Sequence, residues 1–509
     1  MKRILFNATL SEKRAALMED SRVTEIVVER PDDLRILGNI YRGKVLKIIP
    51  GLQSAFVDIG LEKPGFLHIS DVDPAVLLDS EEDEDDYYPG KEKKKSRKIS
   101  RVPIENIIKT GQELLVQVIK ESIGSKSPKI TTQLSIAGRF LVLVPGKNFI
   151  GVSRKSSDAA KRRRLKKLVS DIKPDGMGCI VRTIGLKVSE TEFKKELKSL
   201  LTKWDYIQNN VMSGGRLIHK EQDVTTQVIR DLFTSDINEI LVDQEDDYKL
   251  IRKYLKTLSP DLLSRVHYYK GEEPLFDRFN IESDLEKSLK RRVWLKNGAY
   301  LVIDMTEALL AIDVNSGKNT GKKSLQDTIL DTNLKAAEEI CRQLRLRDIG
   351  GLIVVDFIDM RPTRHIKAVE KKMEEFLEKD PTNTSFTKIS EFGLMEITRK
   401  RVRPELQELF TDVCHFCNGL GRVFSPATVS SRIDRWIKRA VSRGVKGEII
   451  LSVHPAVATF LHKNETTLID EFRREYSVVI DIKQDESLDQ DEFEVFNKKN
   501  RKNITEKYD

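Results

Sequence analysis

The sequence predicts a multidomain α/β protein with a small β-barrel inserted near its start, and three observations predict it. At 509 residues the chain is too long for one hydrophobic core, so several domains of ordinary size are expected. After Gly38, short runs of alternating pattern are separated by glycines at hairpin spacing. Between residues 298 and 360, two apolar runs flank a stretch of helical periodicity, which is the pattern of a strand, a crossover helix and a strand.

Taken in order, "MKRILFNATLSEKRAALMEDSRVTEIVVERPD" reads as two or three strands ending at Pro31, part of a sheet completed elsewhere. Next, "GNIYRGKVLKIIPGLQSAFVDIGLEKPGFLHISD" gives three strands with Gly43, Gly51, Gly60 and Gly65 at the turns, and "GQELLVQVIKES" and "SPKITTQLS" supply two more. Five short antiparallel strands predict a closed barrel of OB type. Between them "LDSEEDEDDYYPGKEKKKSRK", acidic and then basic, cannot build a core and is expected to be a disordered insert over residues 78–100.

The stretch "GRFLVLVPGKNFIGVSRK" leads into a basic helical run, "AAKRRRLKKLV", whose cations read as a solvated helix face. A strand entered through glycines, "GMGCIVRTIG", and a charged helix from about 190 to 213 follow, and "VIRDLFTSDINEILVD" reads as helix then strand. In "GAYLVIDMTEALLAIDVNSG" two apolar strands appear, the second ending at Asp313, Asn315 and Gly317. The helix after it places Ile329, Leu330, Leu334, Ala337, Ile340, Cys341 and Leu344 on one face before a Gly-Gly stop, and "LIVVDFIDM" is a buried strand. The two strands should lie parallel, with their carboxyl ends together. Beyond residue 420 the pattern is that of a small α/β module with a polar tail, frayed from about 495.

Hydrophobic residues make up 39% of the chain and charged residues 33%, with a net charge of +8, a mild bias toward a polyanionic partner. No apolar run suits a signal peptide, and none reaches the roughly 18 to 20 residues of a membrane span, so a soluble, unsecreted protein is expected. Four cysteines, two of them in "CHFC", suit a reducing compartment and a metal better than a disulfide framework.

Asp313 and Asp356 each close an apolar strand at the edge where open α/β sheets place their ligands. Alternation puts Asp313 and Asn315 on one face, joined by Asp356 if the register permits. Two carboxylates and an amide oxygen would suit Mg²⁺, which acidifies water and stabilises charge on a phosphodiester. The competing reading is that both aspartates cap the turns after their strands. Asp304 and Asp359 are given structural roles.

The segments "AIDVNSG", "NLKAAEEICRQLRLRDIGGLIVVDFIDM", "GEEPLF", "GMGCIVRT" and "FGLMEITRKR" resemble the ribonuclease E/G family of endoribonucleases. The resemblance implies a Mg²⁺-dependent enzyme that cuts single-stranded A/U-rich RNA in RNA processing and decay, prefers 5′-monophosphorylated ends, and forms a tetramer of two zinc-linked dimers. It implies an RNase H-like subdomain split over 1–35 and 225–288, an OB-fold RNA-binding barrel over 36–131 and a 5′-phosphate sensor over 132–224. A catalytic deoxyribonuclease-like subdomain over 289–410, a zinc-link over 411–420 and a small C-terminal domain over 421–509 complete the set. Carried over residue by residue, it places catalysis and Mg²⁺ on Asp313 and Asp356 with Asn315 beside them, and the 5′-phosphate on Arg182 and Thr183 with Gly138, Val142 and Arg154. Single-stranded RNA falls on Phe56, Phe66 and Lys126, although phenylalanines of a small barrel, taken alone, read more readily as core.

Cys414 and Cys417 supply two of the four ligands that a structural Zn²⁺ needs. The others could come from Cys179, Cys341, His415 or a second copy of the chain; Cys179 and Cys341 sit in apolar segments, and the resemblance implies the second copy. Richness in Lys, Ile and Asn fits an A/T-rich genome, hence a plastid-encoded stromal protein or a bacterial cytoplasmic one. The alternative function is a non-catalytic RNA-binding assembly factor.

Overall fold

Three N-terminal strands, Lys2–Ala8, Lys13–Glu19 and Arg22–Glu29, form an antiparallel meander. The sheet is completed by Glu239–Val242 and Val266–Tyr268, both parallel, with Leu5 opposite Leu241. A sheet completed from far along the chain is what the isolated N-terminal pattern required. The computed structural model describes all residues except 31–35, 74–101, 122–126, 154–158, 213, 222, 234–235, 318–323, 402, 418, 463–467 and 509, so the insert expected at 78–100 lies outside the described residues. Two compact units emerge, Met1–Leu409 and Phe410–Asp509.

In the first unit, strands Ile40–Ile49, Ser54–Asp58, Gly65–His68, Glu113–Lys120 and Lys129–Thr131 close into a five-stranded barrel of OB-like form. The expectation of five antiparallel strands needs correction at one ladder: Gly65–His68 runs parallel to Lys129–Thr131. An odd number of strands cannot alternate direction all the way round a closed ring, so one parallel ladder is obligatory. Gly65 sits on it, where a Cβ would come within 2.8 Å of Ile130 Cδ1.

A four-stranded sheet, Ile136–Ala137, Leu141–Pro145, Ile150–Val152 and Met177–Val181, packs with the helices Ala159–Ile172 and Glu190–Met212. The shorter helix buries Leu165 and Val169 and exposes Arg163, Arg164 and Lys167, while Lys161, Arg162 and Lys166 are half-buried, so only part of the cationic run is a solvated face.

The six-stranded sheet that follows has spatial order Arg292–Trp294, Tyr300–Met305, Leu309–Asn315, Gly351–Asp356, Leu394–Arg399, Thr384–Phe386. Its central pair, Leu309–Asn315 and Gly351–Asp356, is parallel and joined by the helix Leu325–Leu346. Ser324 caps that helix by accepting the Asp327 N–H, and Ala336, Ala337, Ile340 and Leu344 pack in one core with Ile312, Ile353 and Val355. Each fully buried Ile or Leu contributes roughly 1.5–3 kcal/mol, so one side of the sheet is firmly fixed. The other side is left open. The helix ends at Arg347, and the left-handed residue after it is Asp348, not the Gly-Gly pair expected to stop it. Gly350 and Gly351 instead open the next strand beneath Arg401, whose Cγ would lie 2.4 Å from a Cβ on Gly350.

The second unit pairs Gly447–Val453 in parallel with Val478–Gln484 and antiparallel with Phe493–Asn497, beneath the helices Pro426–Ser442, Pro455–Leu461 and Leu468–Tyr476. The tail is not frayed from 495. Val495 is fully buried, Ile504 packs on the same core, and the indole of the buried Trp436 donates to the Thr505 carbonyl at 2.9 Å. Two apolar residues in a polar stretch are enough to pin it. Among the described residues no helix is long and apolar enough to cross a membrane.

Candidate active site

On the open face of the six-stranded sheet, Asp313 and Asp356 are direct register partners across the parallel ladder. Neighbouring strands lie about 4.8 Å apart, and laterally paired residues point the same way. Ile312, Val314 and Val355 alternate into the core, so both carboxylates are driven outward, where they are exposed. The apolar residues of the two strands thus fix the position of the acids.

Asn315 donates from Nδ2 to Asp313 Oδ2 at 2.7 Å, which holds that carboxylate in place. Burial and then the charges of Asp313 and Asp359 push the Asp356 carboxyl up from the usual aspartate range. Asp359, given a structural role from the sequence, is thus close enough to act on Asp356 through its charge: the strand ends at Asp356, and the backbone beyond it no longer alternates. Gly393, at φ +80°, makes room there; a Cβ would lie 3.2 Å from Asp359 Oδ1. Asp304 instead pairs with Arg291, as a structural residue would.

Mutually repelling carboxylates with an amide beside them form a donor set for a hard cation, which takes one or two protein carboxylates and keeps its waters. Among the described residues no group of three or more His, Cys, Asp or Glu side chains is arranged to hold a metal ion between them. An open site of this kind needs none.

Comparison with known proteins is decisive for ancestry. Residues 135–402 match the model of the Ribonuclease E/G family, and 413–500 match that of the RNase E/G thioredoxin-like domain. Ribonuclease G of Escherichia coli is 34% identical over 494 residues, 97% of this chain and 99% of its own length. The chain belongs to the ribonuclease E/G family. Ribonuclease E of Haemophilus influenzae is 37% identical over 510 residues, 99% of this chain and 53% of its own length; the match to ribonuclease E of Escherichia coli, also 37%, covers 43% of that protein. The chain thus spans about half the length of these ribonuclease E relatives and nearly all of ribonuclease G.

The residues that the family likeness links to a 5′-phosphate are drawn together in part. Arg182 donates to the Gly138 carbonyl at 2.7 Å and pairs with Asp231 at 2.7 Å, while the Thr183 and Ser153 hydroxyls lie 2.9 Å apart. Burial, which opposes ionisation of Asp231, is outweighed by Arg230 and Arg182, and its carboxyl is held below the usual range. Nothing near Arg182 in sequence signals this partner. Gly138 is required by packing, since a Cβ would meet the buried Glu196 carboxyl carbon at 2.9 Å. Val142 lies mid-strand, paired on both sides, and Arg154 falls outside the described residues.

On the barrel, Phe56 and Phe66 are cross-strand partners with ring centroids 5.8 Å apart, both half-buried on the face opposite the core residues Ala55, Val57 and Leu67. The reading of these rings as core is corrected: alternation from Val57 and Leu67 turns them outward. Lys126 lies outside the described residues.

Cys179 and Cys341 are buried, and burial pushes their thiols up to about 11 and about 12. They are packing residues. Cys414 is exposed and Cys417 partly so, and the N–H groups of Gly421 and Gly419 hold the Cys417 thiol below its usual value.

Proposed function

We propose that this chain is a Mg²⁺-dependent endoribonuclease that cuts single-stranded, A/U-rich RNA and favours 5′-monophosphorylated ends, in RNA processing and decay. Family membership supports the endoribonuclease reading, and the in-register pair of Asp313 and Asp356 supports its chemistry. Both carboxylates would hold Mg²⁺, which when bound supplies charge against a phosphodiester and acidifies water. Asn315 orients Asp313, and the apolar layer beneath keeps the two strand ends aligned. Arg182 and Thr183 would grip the 5′ end, the guanidinium exchanging Asp231 for phosphate, which it meets in a two-point fork. Phe56 and Phe66 would stack bases on the barrel wall. Cys414 and Cys417 would share Zn²⁺ with the same pair of a second copy, in a dimer that doubles to a tetramer.

The test is incubation of the full chain with a 5′-monophosphorylated A/U-rich oligonucleotide, with Mg²⁺ or EDTA. Internal cleavage that needs the cation, lost by at least about 10²-fold in Asp313→Asn while oligonucleotide binding is retained, is the expected result. Full-rate cleavage by that variant would refute the assignment, and no cleavage by the wild type would favour a non-catalytic RNA-binding role.

A further inference from the structure

The open face of the catalytic sheet carries more than the acids. Along one line across it, Arg292, Val302, Asp313 and Asp356 are successive register partners; along the next, Trp294, Tyr300 and Asn315 are. Trp294 is 59% exposed, and its ring lies 5.2 Å from that of Tyr300 at a tilt of 57°. The Arg292 guanidinium sits 4.5 Å from the Tyr300 ring centroid and 5.9 Å from that of Trp294.

Packing does not account for these rings. The core of the same strands is made by Val293, Leu301 and Ile303, which alternate to the other face. Nor is Arg292 held by an acid: among the described residues it makes no ion pair. What remains is an exposed indole beside a half-buried phenol, with a cation laid against both. They adjoin Asn315, which itself holds the carboxylate of Asp313.

We infer that Arg292, Trp294 and Tyr300 form a stacking platform for one unpaired base of an RNA strand whose scissile phosphate lies at Asp313 and Asp356. The inference rests on the nuclease reading and adds to it a base-binding subsite on the catalytic sheet itself, separate from the barrel phenylalanines. Every base has a π-face, so a platform of this kind holds the strand whatever its sequence, and the Arg292 charge is placed to meet the adjoining phosphate. A base in a duplex is stacked on its neighbours and cannot lie on the indole. The platform therefore selects single strands at the point of cutting.

The experiment combines Trp294→Ala and Trp294→Phe with a series of A/U oligonucleotides in which one nucleotide at a time, around the cleavage point, is abasic. The expected result is a KM about tenfold higher for Trp294→Ala, with kcat changed less than about twofold, and largely restored in Trp294→Phe. One abasic position should weaken cleavage by the wild type and leave Trp294→Ala no worse. In EDTA, where no cleavage occurs, the uncut oligonucleotide should quench emission that is present in the wild type and missing from Trp294→Phe. An unchanged KM for Trp294→Ala, the same abasic profile as wild type and no quenching would overturn the platform while cation-dependent cleavage by the wild type kept the nuclease reading intact. If the wild type does not cleave, the nuclease reading fails by itself, and quenching or its absence decides whether Trp294 contacts RNA.

Discussion

Asp356 keeps its proton to a higher pH than a free aspartate, because partial burial and the charges of Asp313 and Asp359 oppose its ionisation. The proposed mechanism uses the ionised form, so cleavage should fall as pH drops through a carboxyl pKa above the ordinary range. A cation between the acids favours their charged forms, so raising Mg²⁺ should move the acid limb of kcat/KM to lower pH. Profiles at two Mg²⁺ concentrations check this, and an acid limb that ignores Mg²⁺ would separate the titrating group from the metal. Gly138 makes a second case at this scale. Gly138→Ala forces a methyl against the Glu196 carboxylate and the Leu141 carbonyl, both within 2.9 Å of the new atom. It should lower stability by about 1–3 kcal/mol in urea unfolding, with Arg182 losing the orientation that the Gly138 carbonyl gives it.

At the scale of elements, the crossover helix Leu325–Leu346 packs Ile340 and Leu344 in one core with Ile312, Ile353 and Val355, beneath the two strands that carry the candidate site. Ile340→Ala should cost about 2–5 kcal/mol of stability. It should also reduce kcat at temperatures where the fold persists, measured by circular dichroism and cleavage on the same sample, because the cavity loosens the layer that aligns Asp313 with Asp356. Loss of stability with kcat unchanged would show that the strands hold their own register. Much of this element was legible beforehand: strand alternation fixes the outward face, and helical spacing identifies the buried stripe. Legibility stopped where geometry becomes long-range. Asp359 lies three residues past the strand end, Asp231 reaches Arg182 from 49 positions on, and the barrel's one parallel ladder follows from closure of the ring, which no local pattern carries. Phe56 and Phe66 were readable in principle, since the core residues beside them already fixed the alternation.

At the scale of the whole molecule, the question is how many chains make a functional particle, and the cysteines bear on it most directly. Cys179 and Cys341 are withdrawn into separate cores, with thiols pushed up by burial, so neither is available to Cys414 and Cys417. A four-thiolate site then needs a second chain, and its stoichiometry differs from that of any site within one chain: about half a zinc ion per polypeptide. Metal analysis of the purified protein should return that ratio. Cys414→Ser should reduce it to near zero and shift the particle to smaller species in native mass spectrometry. The proposed cleavage site lies on a sheet complete within one chain, so the dissociated variant should still cut a short oligonucleotide, at a rate per chain within about threefold of wild type if binding there is unaffected by assembly. A full zinc ion per chain, or a particle whose size does not respond to Cys414→Ser, would place the metal elsewhere and leave the assembly to other surfaces.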